Sequence, residues 1–254
     1  MSATVKKPGD GPVVAIVPAR LDSRRLPGKA FKPIGRHSLI GMLLDRLAAC
    51  DAVDTIVVAT TARPVDDRLA EWCAAHGVGC FRAEAPVDDV LGRIAQATRS
   101  FGARFVVRAN GDSPLIAPEA VAAGVRSLRA GGVALVTGKG RYSGLPVGIG
   151  PEIIGADALQ SLDRKISDPY HREHVTSAVF DEKSEWRWIP IPVPETWRAP
   201  ELDLTVDDQP GLDWMCRLVS RLHHASPADW SIPDIIAVAR TMERETQPSR
   251  ADHA

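Results

Sequence analysis

Five apolar residues in a row, Val13 to Val17, break at Pro18 into a loop that carries Arg20, Arg24, Arg25 and Lys29. An unbroken apolar run of this length, bounded by turn residues, predicts a short strand buried on both faces. Ser38 is placed to cap a helix whose apolar residues Leu39, Ile40, Leu43, Leu44 and Leu47 recur at helical spacing. Thr55 to Ala59 reads as a second strand ending in Thr60-Thr61, and Pro64 opens a helix that Gly77 stops. Val78 to Phe81 predicts a third strand. Asp88 or Asp89 opens a helix with Val90, Leu91, Ile94 and Phe101. Phe105 to Arg108 predicts a fourth strand, running into the turn Asn110-Gly111-Asp112-Ser113-Pro114. Pro118 starts another helix, and Val133 to Thr137 a fifth strand.

Strands and helices in alternation predict an α/β fold, a parallel sheet with helices on both faces. Ligands of such sheets bind beyond the carboxyl ends of the strands. The loop of Arg20 to Lys29, the pair Thr60-Thr61 and the turn holding Asp112 all fall on that rim. The second half is less regular. Lys139 to Gly150 is a Gly-rich loop expected to line the site, and Ala156 to Leu162 a short helix. Asp168-Pro169 opens a helix through His171, Arg172 and His174 to Phe180. Trp186 to Val193 alternates and contains two prolines, so it reads as an edge strand or an extended arm. Leu202 to Val206 predicts a strand ending in Asp207-Asp208, with helices over Gln209 to His223 and after Pro233. With no repeat or linker, a single domain over 13–245 is expected, between a disordered lead (1–12) and a disordered tail (246–254).

At 254 residues a sizeable core is expected. The net charge of −1 disfavours a nucleic-acid partner and makes the cationic loop a local feature. Cys50, Cys73, Cys80 and Cys216 lack zinc-ligand spacing and read as free thiols of a cytoplasmic protein. Neither a membrane span nor a secretory leader is expected.

The phosphate loop GxxxxGK[ST], GxGxxG, HExxH and GxSxG are all missing from the sequence. Guanidinium forks and an ammonium after a buried strand point instead to a polyphosphate, which they would bind and whose developing charge they would stabilise. Asp112 and Asp207 or Asp208, each just after a strand, form a carboxylate pair suited to Mg2+. His171 and His174 are compatible with a transition metal, a surface helix, or recognition of an anionic or hydroxylated substrate; no third metal ligand accompanies them.

Six segments in order, PARLDSRRLPGK, VDTIVVATT, EAPVDDVLGRIAQA, RANGDSPLIAP, DPYHREHVT and LDLTVDDQPGLDWM, resemble the cytidylyltransferases that make CMP-activated sugars. The similarity spans residues 13–222 and is greatest to the spore-coat-polysaccharide SpsF-like branch. The resemblance implies a three-layer Rossmann-like nucleotide-diphospho-sugar transferase (GT-A-like) fold with a projecting dimerisation arm. It also implies a homodimer, and Mg2+-dependent transfer of CMP from CTP with loss of pyrophosphate. Carried over by position, Ala19, Arg20, Ser23, Arg25 and Lys29 would meet the triphosphate, with Lys29, Arg20 and Arg25 catalytic. Thr60, Thr61, Asp89 and Arg93 would lie near the cytidine, together with Asn110 and Gly111. Asp112 and Asp207 would hold the metal. Arg108, Gly144, Pro146, Gly148, Arg172 and His174 would form the acceptor side. Pro146 and Gly148 stand where that branch carries two carboxylates, and their loss favours an anionic acceptor such as an acidic sugar or a small phosphonate. A glycosyltransferase on the same fold, using a nucleotide-sugar donor, is the alternative.

Overall fold

The computed structural model describes residues 11–223 and 226–246. The expected disordered tail, apart from Thr246, and residues 1–10 of the lead lie outside them. The Pro12 carbonyl accepts the amides of Arg104 and Phe105 at 2.9 and 3.1 Å.

Among the described residues a seven-stranded sheet forms the middle layer. Its strands are β1 (Val13–Pro18), β4 (Thr55–Thr61), β5 (Gly79–Ala83), β6 (Phe105–Arg108), β7 (Leu135–Thr137), β8 (Glu152–Gly155) and β9 (Trp188–Pro190), in the order β5-β4-β1-β6-β8-β7-β9. A hairpin of β2 (Pro33–Ile34) and β3 (His37–Ser38) stands apart. The helices are α1 (Leu39–Ala48), α2 (Asp67–Ala75), α3 (Val90–Ser100), α4 (Pro118–Arg129), α5 (Gly140–Ser143), α6 (Ala156–Lys165), α7 (Pro169–Glu173), α8 (Gln209–Ser220) and α9 (Ile232–Thr246).

Strand β1 shows why the layers form. Alternate residues point to opposite faces of a strand. Val13, Ala15 and Val17 pack with Ile40 and Leu43 of α1 and Val121 of α4. Val14 and Ile16 pack with Leu91 and Ile94 of α3 and Leu159 of α6. Both faces are covered, so the apolar run is unbroken. A third cluster seats α8 and α9 against Ile34, Leu145, Leu202 and Leu204.

The strands β1, β4, β5 and β6 run parallel, as the alternation predicts. Chain order reverses at β1, with β4 on one side and β6 on the other, which makes the carboxyl ends of β1 and β6 a switch point. Strand β8 was not foreseen: it is short, bracketed by Pro151 and Gly155, and inserts antiparallel between β6 and β7. The expected strand Leu202–Val206 is instead an extended segment with a single bridge, to Val147, through Val147 N to Leu202 O and Leu204 N to Val147 O, both 2.9 Å. The expected helix from Asp168 to Phe180 breaks after Glu173 and resumes as a 3-10 turn at Ser177–Phe180. Of the two readings of Trp186–Val193, the edge strand is the one formed: β9 pairs with β7, and Ile191 is buried. All four cysteines are free thiols, and among the described residues no helix is long and apolar enough to cross a membrane.

Candidate active site

The loop leaving β1 is shaped from within. Leu21 and Leu26 are buried and pin its two ends, while Arg24 and Arg25 are exposed. Gly28 adopts the left-handed conformation (φ 67°), which a side chain disfavours, and its amide closes the loop onto the Leu21 carbonyl at 2.7 Å. Asp66 is fully buried at the turn before α2; it accepts the Leu21 amide at 2.8 Å and the Thr61 hydroxyl. A second loop, after β6, comes close enough that a Cβ on Gly111 would lie 2.7 Å from the Pro18 carbonyl. The Val206 amide donates to the Asp112 carbonyl at 2.8 Å and binds in the third loop.

These loops enclose a cavity of about 480 Å³. Its walls include Ala19, Arg20, Ser23, Arg25 and Lys29 from the first loop, and Arg108, Asn110, Gly111 and Asp112 from the second. Asp88, Arg93, Glu173, His174 and Asp207 complete it. Lys29 holds the arrangement together: its Nζ is 3.5 Å from Asp112 Oδ2, 3.2 Å from Asp207 Oδ1 and 3.2 Å from the Val206 carbonyl. Arg25 reaches Asp207 Oδ2 at 2.8 Å. Asp208, in contrast, caps α8 by accepting the Gly211 amide at 2.9 Å, so Asp207 is the carboxylate that faces the cavity. Burial, with Arg20 close by, pushes the Arg93 guanidinium below its ordinary pKa.

Two carboxylates from separate loops converge on one ammonium, which is the geometry of a cation seat. Among the described residues no group of three His, Cys, Asp or Glu could hold a metal by itself. Two oxygens of this kind fit Mg2+, which takes one or two carboxylates and completes its shell with water and substrate phosphates.

Beside this cavity, sharing Arg108 and Asn110 with it, lies a recess of about 80 Å³. Glu152, buried at its base, pairs with Arg108 at 2.6 Å and Lys139 at 3.3 Å and accepts the Thr176 hydroxyl at 2.7 Å. Burial opposes the charge on Glu152, but Arg108 and Lys139 outweigh it and hold the carboxyl below its ordinary pKa. Burial likewise pulls the Lys139 ammonium down, against Glu152. Lys139 was missed as an individual residue. It sits in Gly138-Lys139-Gly140 of the loop expected to line the site, and the signal was the one that marks Gly28-Lys29, a cation beside glycine after a strand.

Several expected site residues are placed elsewhere. Asp89 does not line the cavity: it caps α3 and is gripped by Arg172, whose Nε and terminal nitrogen lie 2.8 and 2.9 Å from its oxygens. Arg172 also binds Asp163 at 2.8 Å, so it clamps α7 to α3 and α6. Thr60 and Thr61 are buried behind the cavity at the end of β4. Gly144 (φ 83°) ends α5 under Arg198, and Pro146 is buried; neither lines the cavity or the recess. Gly148 does line the recess, but at φ 89° its Cβ would meet the Leu204 carbonyl at 2.9 Å. His171 is held locally by Ser177 at 2.8 Å and Asp181 at 3.5 Å, which favours the surface-helix reading over a metal ligand.

The sequence profile of the family described as cytidylyltransferase matches residues 14–209. The spore coat polysaccharide biosynthesis protein SpsF of Bacillus subtilis is 28% identical over 201 residues, covering 77% of this chain and 81% of that protein. A cytidylyltransferase structure from Leptospira borgpetersenii superposes with a TM-score of 0.82 at 27% identity, covering 95% of this chain and 99% of that one. CMP:2-keto-3-deoxy-manno-octonic acid synthetase, solved in complex with CTP, shares the fold with a TM-score of 0.62 at 18% identity, covering 83% and 99%. The chain belongs to the cytidylyltransferase family and is a nucleotidyltransferase.

Proposed function

We propose that this single domain, over 13–245, binds CTP in the larger cavity and transfers CMP to a small acidic acceptor held at the recess. The observation that carries the reading is the convergence of Lys29, Asp112 and Asp207 at the carboxyl ends of β1 and β6. An acceptor oxygen attacks the α-phosphorus, the bond to the bridging oxygen breaks, and pyrophosphate leaves. Asp112 and Asp207 would hold a divalent cation, which would supply charge neutralisation to the phosphates. The chain's own cations do the rest: Lys29, Arg20 and Arg25 bind the triphosphate and stabilise the charge that builds on the leaving group. Gly111 lets the second loop approach the first, which narrows the site around the reacting atoms.

The recess supports an acidic acceptor, an acidic sugar or a small phosphonate. Arg108 and Lys139 together exceed the single charge of Glu152, so one cationic charge is left for the acceptor. Mg2+ as the cation, a homodimer and a cytoplasmic setting are carried by the family resemblance. The glycosyltransferase alternative finds less support, because a diphosphate donor needs fewer cations than this loop supplies. Pyrophosphate release, measured with each of the four nucleoside triphosphates and Mg2+ against a panel of acidic sugars and phosphonates, tests the reading. Release is expected with CTP and an anionic acceptor; none with any CTP–acceptor pair would sink it.

A further inference from the structure

The seat between Asp112 and Asp207 is already filled by a group of the protein itself. Lys29 Nζ meets three oxygens from two loops, at 3.2, 3.2 and 3.5 Å, and its side chain is only 17% exposed. Arg25 touches Asp207 from outside and is 66% exposed, so it does not fill the seat. An ammonium and a divalent cation a few ångströms apart repel strongly, and the same two carboxylates cannot serve both at once.

We infer that Lys29 is an internal counter-cation that keeps the metal seat closed in the nucleotide-free protein, and that its transfer to the nucleotide's phosphates opens the seat. The inference rests on the assignment of Asp112 and Asp207 as metal ligands. Lys29 follows Gly28 on a short 3-10 turn (Lys29–Phe31), and its flexible four-carbon stem ends on the cavity wall. The ammonium can therefore leave the carboxylates for phosphate oxygens in the same cavity without a change of backbone. In the free protein, metal entry would strip Lys29 of both carboxylates and give it nothing in return. With nucleotide bound, the phosphates take the ammonium and the carboxylates are released together. Metal and nucleotide then bind with positive coupling, and the coupling is reciprocal. Without Lys29 the seat is open from the start.

The test uses Mn2+ as the probe, counted by electron paramagnetic resonance of the free ion over the nucleotide-free full-length chain. Lys29→Met keeps the stem and removes the charge; it is expected to bind one Mn2+ at least tenfold more tightly than the parent chain. Lys29→Arg, which keeps the charge, should stay as weak as the parent. Asp112→Asn added to Lys29→Met should abolish the gain. Equal affinity of parent and Lys29→Met overturns the inference while leaving the metal site standing. So does a gain that survives Asp112→Asn, since the ion then lies elsewhere. If no form takes up Mn2+ beyond what the nucleotide itself binds, with or without CTP, the metal assignment falls and the inference with it. A damaged fold loses sites and cannot mimic a gain.

Discussion

Two clusters of charged side chains meet at Arg108 and Asn110, and they are built to different standards. On the rim beyond β1 every partner keeps some contact with water, from Lys29 at 17% exposed and Asp112 at 28% to Asp207 at 37% and Arg25 at 66%. In the recess, Glu152 is 4% exposed and Arg108 13%, with a hydroxyl from Thr176 completing the shell. Exposed ion pairs are worth roughly 0–1 kcal/mol each, whereas taking one partner from a buried set strands the others and costs about 3–5 kcal/mol. The rim is therefore suited to exchanging partners when a ligand arrives. The recess is suited to keeping two cations fixed in one geometry.

The largest effect should come from the rim, and on rate alone. Lys29→Ala removes the cation nearest both carboxylates, and kcat is expected to fall about 10²–10³-fold, the cost of losing one preorganised charge-stabilising group. Its melting temperature should stay close to that of the parent, because the carboxylates it leaves behind, Asp112 and Asp207, are 28% and 37% exposed and can be hydrated. A near-parent turnover would remove Lys29 from the chemistry. A collapse of stability would show the rim to be as fixed as the recess.

The recess should answer in the opposite way. Glu152→Ala strands the Arg108 guanidinium, 13% exposed, and takes the carboxylate from Lys139, 33% exposed, and urea denaturation should show a loss of about 3–5 kcal/mol. Glu152→Gln, which still accepts a hydrogen bond, should lose less. The carboxyl lies below its ordinary value of 4.5 in the folded chain, so its contribution is complete above that value and is lost as pH falls beneath it. The parent should therefore lose more stability than Glu152→Gln between about pH 4.5 and pH 3. Parallel curves for the two would mean that Glu152 is not the anchor of the recess.

The same contrast explains what could be read before the structure. The rim was legible where its residues follow strands that announce themselves: Val13 to Val17 before Arg20 and Lys29, and Phe105 to Arg108 before Asp112. The recess was not legible, because its parts come from β6, the loop after β7, the start of β8 and the turn before Ser177. Only the antiparallel insertion of β8 brings Glu152 beside Arg108, and Glu152–Gly155 is too short to show a period. Motif position also gave no hint of the pairing of Asp89 with Arg172. Each is polar and follows the family order, yet they satisfy one another as a clamp, a pairing that no local pattern encodes. Asp66 was passed over for a similar reason, since an acidic residue near a helix start looks like a cap until its partner Leu21 is known.

Arg25 gives the smallest effect and the finest test of the contrast. It shares Asp207 with Lys29, at 2.8 Å, but from the solvent side. A charge so placed acts through screened, longer-range attraction, falling off over a Debye length of about 8 Å at physiological salt. Arg25→Ala should therefore change folding stability by less than about 0.5 kcal/mol. It should raise KM for CTP a few-fold, with a smaller change in kcat than Lys29→Ala produces. The rise should shrink as salt is added, since salt already screens what the mutation removes. A salt-independent loss as deep as that of Lys29→Ala would mean that Arg25 folds inward over the phosphates when CTP binds. The rim would then hold two fixed cations, and its difference from the recess would be one of solvent access in the free protein only.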